Sequence, residues 1–296
     1  MKMRSLGSSG LLSSAIGMGT AALTGTYGPV TVADCDRTVH LALDTGITMF
    51  DATGARSAGE RAAEVLLGRA LSGRRAEALI ATRARWPTEG IGEPGVNHGP
   101  AYLAVACDES LQRLRTDYID IFYLPRDPRF PVEEGVCKLA ELATAGKIRY
   151  LGMCMPSADE LRRAHATHPV SAVAVEYSLR RPTAEKEVLA MAVPLGVGVV
   201  ACRPLGGGLL AGRSVPGVSA RDRTALRTIE AEATDLNLGM ARLALAWLLA
   251  QRPDVVPVPS TRKPTHVEMN ASAVDLALSE ETCARLARQF QEADEC

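Results

Sequence analysis

The chain has 296 residues, a formal net charge of −1 and a hydrophobic content of 47 %. This length fits one or two domains, and the apolar fraction is sufficient for a large core. The near-neutral charge gives no reason to expect a nucleic-acid or membrane-surface partner.

Short apolar runs rich in β-branched residues alternate with amphipathic helical patterns along the chain. The predicted strands cover residues 15–18, 47–51, 78–83, 119–124, 149–153, 172–176, 197–202 and 255–259. Helices are predicted near 33–45, 58–72, 101–116, 132–145, 157–167, 183–193 and 238–251, and two more, near 264–272 and 279–292, follow the last strand. The strand runs are continuously apolar, as expected of parallel strands that are buried on both faces.

Eight strand–helix units predict an α/β protein whose parallel sheet closes into a single (β/α)8 TIM barrel over residues 1–296. A β-hairpin around residues 6–11 precedes the first barrel strand, and an extra helix lies at the C-terminus. Two long loops, 86–100 and 203–223, follow the third and seventh strands. Active sites of this fold are built from such loops, so both are expected to border the site.

The seven cysteines include no CxxC pair, so the sequence predicts neither a disulfide framework nor a metal site. No apolar stretch is long enough to span a bilayer. These features favour a cytoplasmic protein with no membrane partner.

Motifs spread over nearly the whole chain resemble those of the aldo-keto reductases, in particular bacterial members with a Tyr-Gly-Pro loop. The matching segments are LGSSGL at 6–11, YGP at 27–29, FD at 50–51, EVLLGRAL at 64–71, SLQRLRTDYID at 110–120, AGKIRYLG at 145–152, EYSL at 176–179, PLGGGLLAG at 204–212 and VPSTRK at 258–263. The resemblance implies the barrel fold, an NADPH site and a catalytic set of Asp, Tyr, Lys and His. In that set the Tyr donates a proton, the Lys lowers the pKa of the Tyr, and the His orients the substrate oxygen.

Only the aspartate of that set is present, as Asp51. By the same resemblance, Arg56 stands at the Tyr position, Arg83 at the Lys position and Pro125 at the His position. An arginine stays protonated and cannot donate a proton at neutral pH, and a proline side chain has no polar group. An ion pair between Asp51 and Arg83 is expected to preserve a buried contact of the family without its proton chemistry.

The two ends of the implied cofactor site differ. Cys154, Met155 and Ala174 stand where the family holds the nicotinamide carboxamide, and Cys202 stands where an aromatic ring stacks on it. Ser260, Thr261, Arg262, Lys263 and Asn270 match the segment that binds the adenosine 2′-phosphate and the adenine. The predicted cofactor is therefore either none or NADPH.

Arginines dominate the predicted barrel mouth. If Arg56, Arg83 and Arg203 meet there, their planar guanidinium groups favour a carboxylate, phosphate or enolate ligand, so the expected partner is a small anionic molecule. Four more residues are candidates for the substrate pocket: Tyr27, Trp86, Tyr123 and Cys202. Either Tyr27 or Tyr123 is an alternative proton donor.

Three functional hypotheses follow. In the first, the chain is a non-redox lyase, isomerase, dehydratase or cyclase of specialised-metabolite biosynthesis, with Asp51, Arg56 and Arg83 as catalytic residues. Barrels acquire new chemistry by changing strand-end residues, which supports this hypothesis. In the second, it is an NADPH-dependent carbonyl oxidoreductase with a rearranged proton donor. In the third, it is a non-catalytic barrel that binds a ligand or a partner protein.

Overall fold

The computed structural model describes residues 1–53, 58–84, 99–215 and 217–291, without the side chains of residues 58–60 and 291. Two predicted site residues, Arg56 and Trp86, and most of the predicted 86–100 loop lie outside the described residues.

The chain begins with the predicted hairpin, in which β1 (Met3–Ser5) pairs antiparallel with β2 (Leu12–Ser14). Leu6 and Leu11 at its tip are buried against residues of the barrel interior, so the hairpin closes the amino-terminal end of the barrel. Gly7 is required at this contact, because its φ is +73° and an added Cβ would lie 2.3 Å from the Gly196 carbonyl oxygen.

Eight parallel strands form the barrel in chain order, and each pairs with the next. They are β3 (Met18–Gly19), β4 (Met49–Asp51), β5 (Leu79–Arg83), β6 (Ile119–Pro125), β7 (Ile148–Cys154), β8 (Ala172–Glu176), β9 (Gly198–Cys202) and β10 (Val255–Pro257). A parallel bridge between Gly19 and Ser260 joins the first strand to the segment after the last. The Gly17 and Gly19 N–H groups also donate to the carbonyls of Pro257 and Pro259, at 2.9 and 3.0 Å, which closes the barrel.

Helices surround the strands. They are α1 (Val32–Asp44), α2 (Ala58–Ala70), α3 (Tyr102–Leu114), α4 (Val132–Thr144), α5 (Ala158–Thr167), α6 (Val188–Leu195), α7 (Ala220–Asp235), α8 (Met240–Gln251), α9 (Pro264–Ala271) and α10 (Glu280–Gln291). The sequence analysis missed α7 and assigned its first residues to the 203–223 loop. The helix buries mainly Ala225, Ile229 and Ala233, so its apolar face is too weak to stand out in the sequence. No helix within the described ranges is long and apolar enough to cross a membrane.

The barrel strands carry two apolar layers. Alternate residues such as Ile121, Tyr123 and Val200 fill the interior, whereas their neighbours such as Phe122 and Val199 pack against the helices. The carboxyl ends of the strands therefore present a ring of inward-facing residues at one end of the barrel, where the candidate site lies.

Candidate active site

A cleft of about 420 Å³ opens at the carboxyl ends of the strands and runs from β4 to α9. Its walls come from β3, from the loop after β9 and from the segment that joins β10 to α9. Nine residues singled out from the sequence line it: Tyr27, Asp51, Cys202, Arg203, Ser260, Thr261, Arg262, Lys263 and Asn270. The structure thus places the strand-end candidates and the 260–270 segment in one continuous cleft.

Asp51 lies at the inner end of this cleft and is 1 % exposed. Its Oδ1 accepts hydrogen bonds from the Thr53 N–H, at 2.8 Å, and from the Thr53 hydroxyl. Its Oδ2 has no hydrogen-bond partner among the described residues. Burial raises the pKa of Asp51, against the opposing effects of the Thr53 hydrogen bonds and the Arg83 charge. This carboxyl therefore holds its proton to a higher pH than a surface aspartate does.

The ion pair expected between Asp51 and Arg83 is not formed. Thr53, two residues along the chain, occupies one carboxylate oxygen. The Arg83 side chain instead extends past β6 to β7, where its Nη1 lies 3.8 Å from the Cys154 Sγ. Arg83 influences Asp51 through its charge and not through a direct contact.

Tyr123 does not line the cleft. Its side chain is 0 % exposed in the barrel interior, and its hydroxyl has no hydrogen-bond partner in the described part of the chain. Burial raises the pKa of Tyr123 well above its ordinary value. Gly152 makes room for the ring, because an added Cβ there would lie 2.4 Å from it. Tyr123 is therefore part of the packed interior and is poorly placed to donate a proton to a substrate.

Two cysteines lie at the barrel mouth. Cys202 lines the cleft, and burial raises the pKa of its thiol well above the ordinary value, so it is a neutral group. Cys154, the neighbour of Arg83, is also buried and contributes to a second pocket at the carboxyl ends of β6 and β7.

Arg203 follows β9 in a left-handed backbone conformation with φ of +50°. Its side chain is 51 % exposed, and its Nε lies 4.0 Å from the Glu176 Oε1. The sequence analysis used Glu176 only as part of a motif and did not propose it as a site residue. Glu176 follows Ala172 and Ala174 at intervals of two residues, and those two alanines face the barrel interior. This spacing could have placed Glu176 at the barrel mouth from the sequence alone.

The outer end of the cleft is held by hydrogen bonds within the 260–263 segment and to the loop after β3. The Ala22 N–H donates to the Ser260 hydroxyl at 2.7 Å, and the Lys263 N–H donates to the Thr261 hydroxyl at 3.0 Å. Arg262 Nη1 donates to the Tyr27 carbonyl at 2.6 Å. These contacts fix the backbone that leads into α9.

Four cationic side chains line the cleft, namely Arg203, Arg213, Arg262 and Lys263. Among its described lining residues, one side chain is acidic, that of Asp51. The start of α9 adds the partial positive charge of a helix N-terminus. The sequence analysis missed Arg213 and His266 as lining residues. Arg213 follows a glycine-rich segment and His266 lies on a short helix. No motif in the sequence marked either residue as part of a site.

Comparisons with known proteins agree with this architecture. The sequence model of the Aldo/keto reductase family matches residues 15–289. The chain belongs to the aldo/keto reductase family. "Probable aldo-keto reductase 1" of Glycine max is 35 % identical to it, over 93 % of this chain and 85 % of the relative. "Aldo-keto reductase str7" of Strobilurus tenacellus is 35 % identical, over 78 % of this chain and 74 % of the relative.

Solved structures of family members have the same fold. An aldo-keto reductase from Klebsiella pneumoniae in complex with NADPH is 26 % identical and superposes with a TM-score of 0.80, over 98 % of this chain and 96 % of that one. An aldo/keto reductase structure from the same organism with NADP and acetate is 27 % identical, with the same TM-score and coverage. The predicted family and the (β/α)8 barrel are thus confirmed.

The relatives are named as reductases, which favours a reductase over the non-redox enzyme of the first sequence hypothesis. The replacement of the family's catalytic residues at the barrel mouth stays a prediction from the resemblance. Arg83 and Pro125 end β5 and β6, where the resemblance to the family leads one to expect Lys and His.

Proposed function

We propose that the protein is an NADPH-dependent carbonyl oxidoreductase in which Asp51 is the proton donor. The observation that carries this proposal is the continuous cleft that joins Asp51 to the cationic 260–270 segment. A dinucleotide needs both an anion-binding end and a reactive end, and this cleft offers both within one volume.

The phosphate end of the cleft suits NADPH well. Arg262 and Lys263 lie at the start of α9, where guanidinium, ammonium and helix N–H groups favour a phosphate. Gly207 and Gly208, with φ of +73° and +103°, line the cleft and have no side chain to keep a ligand away from the backbone. The K. pneumoniae relatives were solved with NADPH and with NADP, which supports the same cofactor here.

The inner end suits the nicotinamide less well, because Cys202 gives a neutral thiol in place of a stacking ring. Loss of an aromatic stack lowers ligand affinity by about 1–3 kcal/mol, by analogy with base stacking in nucleic-acid complexes. We therefore infer that the cofactor is held mainly at its phosphate end and binds more weakly than in relatives with a complete site.

Arg262 and Lys263 would hold the phosphate groups of NADPH, and the bound cofactor would supply the hydride for reduction of a substrate carbonyl. Asp51 holds a proton on its carboxyl group and delivers it to the substrate oxygen. We propose that Arg203, which lines the same cleft, stabilises the negative charge that develops on that oxygen. The products would be an alcohol and NADP⁺, and Asp51 would be left as a carboxylate that takes up a proton from solvent before the next turnover.

The proposed substrate is a small carbonyl compound with an acidic group. Arg203 is half exposed, and its nearest described acid is Glu176 at 4.0 Å, so its guanidinium is accessible to a second anion. The proposal does not depend on the predicted convergence of Arg56, Arg83 and Arg203. Arg83 contacts Cys154, and Arg56 lies outside the described residues.

A titration with NADPH tests the proposal. Saturable binding with a blue shift of NADPH fluorescence is expected, and the Lys263→Ala variant should bind NADPH more weakly while its affinity for NADH changes little. Oxidation of NADPH by small aldehydes and keto acids is then followed by absorbance. Absence of saturable NADPH binding would overturn the proposal and favour the non-redox enzyme or the non-catalytic barrel.

The non-redox enzyme is retained as a second candidate because of one observation. Asp51 combines a raised pKa with a place at the end of the cleft, and such a carboxyl can also move protons in an isomerisation or a dehydration. Conversion of an anionic metabolite without NADPH, abolished by Asp51→Asn, would support this second function.

A further inference from the structure

The barrel interior contains a buried polar group that the proposed mechanism does not use. The Tyr123 side chain is 0 % exposed, and its hydroxyl has no hydrogen-bond partner among the described residues. An unpaired hydroxyl in a packed interior has lost its hydrogen bonds to water and gained none in return. Tyr123 therefore either destabilises the fold or finds a partner in some state of the protein.

The strand register places Tyr123 in the same interior layer as Asp51. A layer takes one residue from every second strand, and a shear of about eight residues over eight strands moves it along by about two residues each time. Asp51 of β4 pairs with Ala81 of β5, and Ala81 pairs with Ile121 of β6. The residue two positions beyond Ile121 is Tyr123.

The same steps around the barrel complete this layer. They lead from Tyr123 to Ala174 of β8 and then to Val258, just after β10. The pairing of β3 with β4 and with the segment after β10 returns the series to Asp51. The layer thus holds two polar side chains, those of Asp51 and Tyr123, beside two apolar ones.

Asp51 lacks the donor that Tyr123 could supply. Both hydrogen bonds from Thr53 go to Asp51 Oδ1, whereas Oδ2 has no partner in the described part of the chain. Once the carboxyl has lost its proton, Oδ2 shares a buried negative charge, which is unfavourable without a donor. The two groups also interact electrostatically, because the Asp51 charge adds to the effect of burial in raising the pKa of Tyr123.

The other titratable and charged side chains around this pair are Arg83 of β5, Cys154 of β7, and Cys202 and Arg203 at the end of β9. Arg83 acts on Asp51 through its charge and not through a direct contact. Burial keeps the Cys202 thiol neutral, and a thiol is a weaker donor than a tyrosine hydroxyl. Tyr123 is therefore the best-suited donor for Asp51 Oδ2.

We propose that Tyr123 is a positioning residue whose hydroxyl donates to Asp51 Oδ2 once the carboxyl has transferred its proton to the substrate. The hydrogen bond stabilises the carboxylate within the layer and fixes its orientation until it takes up a proton from solvent. A fully buried residue can act in this way because it need not reach the substrate. The role in the reaction rests on the proposed reductase function, whereas the hydrogen bond requires only the ionisation of Asp51.

Infrared titration of the protein without cofactor tests this hydrogen bond. The C=O stretch of the protonated Asp51 carboxyl is assigned by its absence in Asp51→Asn. We expect its titration midpoint to rise by about one to two pH units in Tyr123→Phe, since hydrogen bonds to charged groups have this strength. The matched control is Tyr177→Phe, which removes a buried hydroxyl bonded to Glu185 in the helix-facing layer and should leave the midpoint unchanged. An equal midpoint in wild type and Tyr123→Phe would overturn the proposal.

A double-mutant cycle in urea denaturation separates the hydrogen bond from packing. Below the Asp51 midpoint, Tyr123→Phe should be at least as stable as wild type, because it removes an unpaired buried hydroxyl. Above the midpoint it should be less stable, and this loss should vanish in the Asp51→Asn background. A loss that is equal at all pH values, or that persists with Asp51→Asn, would indicate a packing role and contradict the proposal.

NADPH-dependent reduction of pyruvate extends the test to catalysis. The pH at which kcat falls should rise in Tyr123→Phe by the same amount as the infrared midpoint, while KM changes little. A shifted infrared midpoint in a protein that reduces neither aldehydes nor keto acids would support the hydrogen bond and contradict the reductase function. Conversely, carbonyl reduction with an unchanged midpoint would support the reductase and remove Tyr123 from its mechanism.

Discussion

The guanidinium carbon of Arg213 lies 4.8 Å from the centre of the Tyr27 ring, on the rim of the cleft. Tyr27 is held from the other side as well, because its carbonyl accepts a 2.6 Å hydrogen bond from Arg262. Arg213 belongs to the loop after β9 and Arg262 to the segment after β10, so Tyr27 connects the two loops that flank the cleft. These loops are therefore coupled to each other before any cofactor binds.

Arg213→Ala is expected to weaken NADPH binding by about tenfold or more. An exposed cation–π contact contributes only about 0.5–1 kcal/mol, but a hydrogen bond from Arg to a phosphate contributes about 1.5–3 kcal/mol. The guanidinium should therefore exchange the Tyr27 ring for the cofactor phosphates. Fluorescence titration at low and high salt checks this, because loss of a phosphate contact also reduces the salt dependence. Tyr27→Phe keeps both the ring and the carbonyl, and a weakening of that control equal to Arg213→Ala would contradict the exchange.

Asp51→Asn is expected to lower the kcat for carbonyl reduction by about 10²–10⁴-fold, the usual contribution of a general acid. NADPH affinity should change less than twofold, because the amide can still accept the Thr53 hydrogen bonds. In the wild-type protein kcat should fall as pH rises through the raised pKa of Asp51, since only the protonated carboxyl donates. A pH profile of kcat that is the same in wild type and variant would show that another group supplies the proton.

The raised pKa of Asp51 also predicts that the stability of the protein depends on pH. Because the pKa of Asp51 is higher in the folded than in the unfolded protein, the folded state binds more protons between those two values. The contribution of Asp51 to the free energy of unfolding is therefore largest below the ordinary pKa of about 3.9 and decreases as pH rises toward the raised value. Urea denaturation across pH 4–8 should show a smaller loss of stability in Asp51→Asn than in wild type. A steeper loss in the variant would mean that the carboxylate is stabilised in the folded state.

The fold was predictable from the sequence because the strands are fully buried and therefore read as short apolar runs between helical patterns. The shared place of residues 260–263 in the cleft was also predictable, because these residues are contiguous and their proximity needs no tertiary information. The contacts of Arg83 were not predictable. They depend on the register of β5 with β6 and β7, and on Thr53 competing for Asp51. The sequence does not show how far a side chain reaches across a neighbouring strand. It also does not show that Thr53 binds the carboxylate oxygen that Arg83 was expected to bind.

Gly7→Ala should lower the free energy of unfolding by roughly 3 kcal/mol or more, because it combines a left-handed backbone with a clash. The added Cβ would lie 2.3 Å from the Gly196 carbonyl oxygen and would separate the hairpin from the barrel. Gly10→Ala is a matched control, since its φ of +80° is similar but nothing lies within 4 Å of its added Cβ. That variant should lose only about 1–2 kcal/mol, the cost of the left-handed backbone alone. Equal losses in urea denaturation would show that the hairpin does not depend on this close approach.

Restoring the family residues at the barrel mouth tests whether their replacement limits the reaction. The triple variant Arg56→Tyr, Arg83→Lys and Pro125→His is expected to reduce carbonyl compounds faster than the wild type. A Lys at position 83 is not expected to form the Cys154 contact of Arg83 and is free to approach Asp51. The pH profile of kcat should then change, because a Tyr replaces Asp51 as the proton donor and remains protonated to higher pH. Arg83→Lys alone is the control, since it restores the cation but neither the proton donor nor the His. If the triple variant binds NADPH as well as the wild type but shows no gain in kcat, the altered nicotinamide end around Cys202 limits the reaction instead.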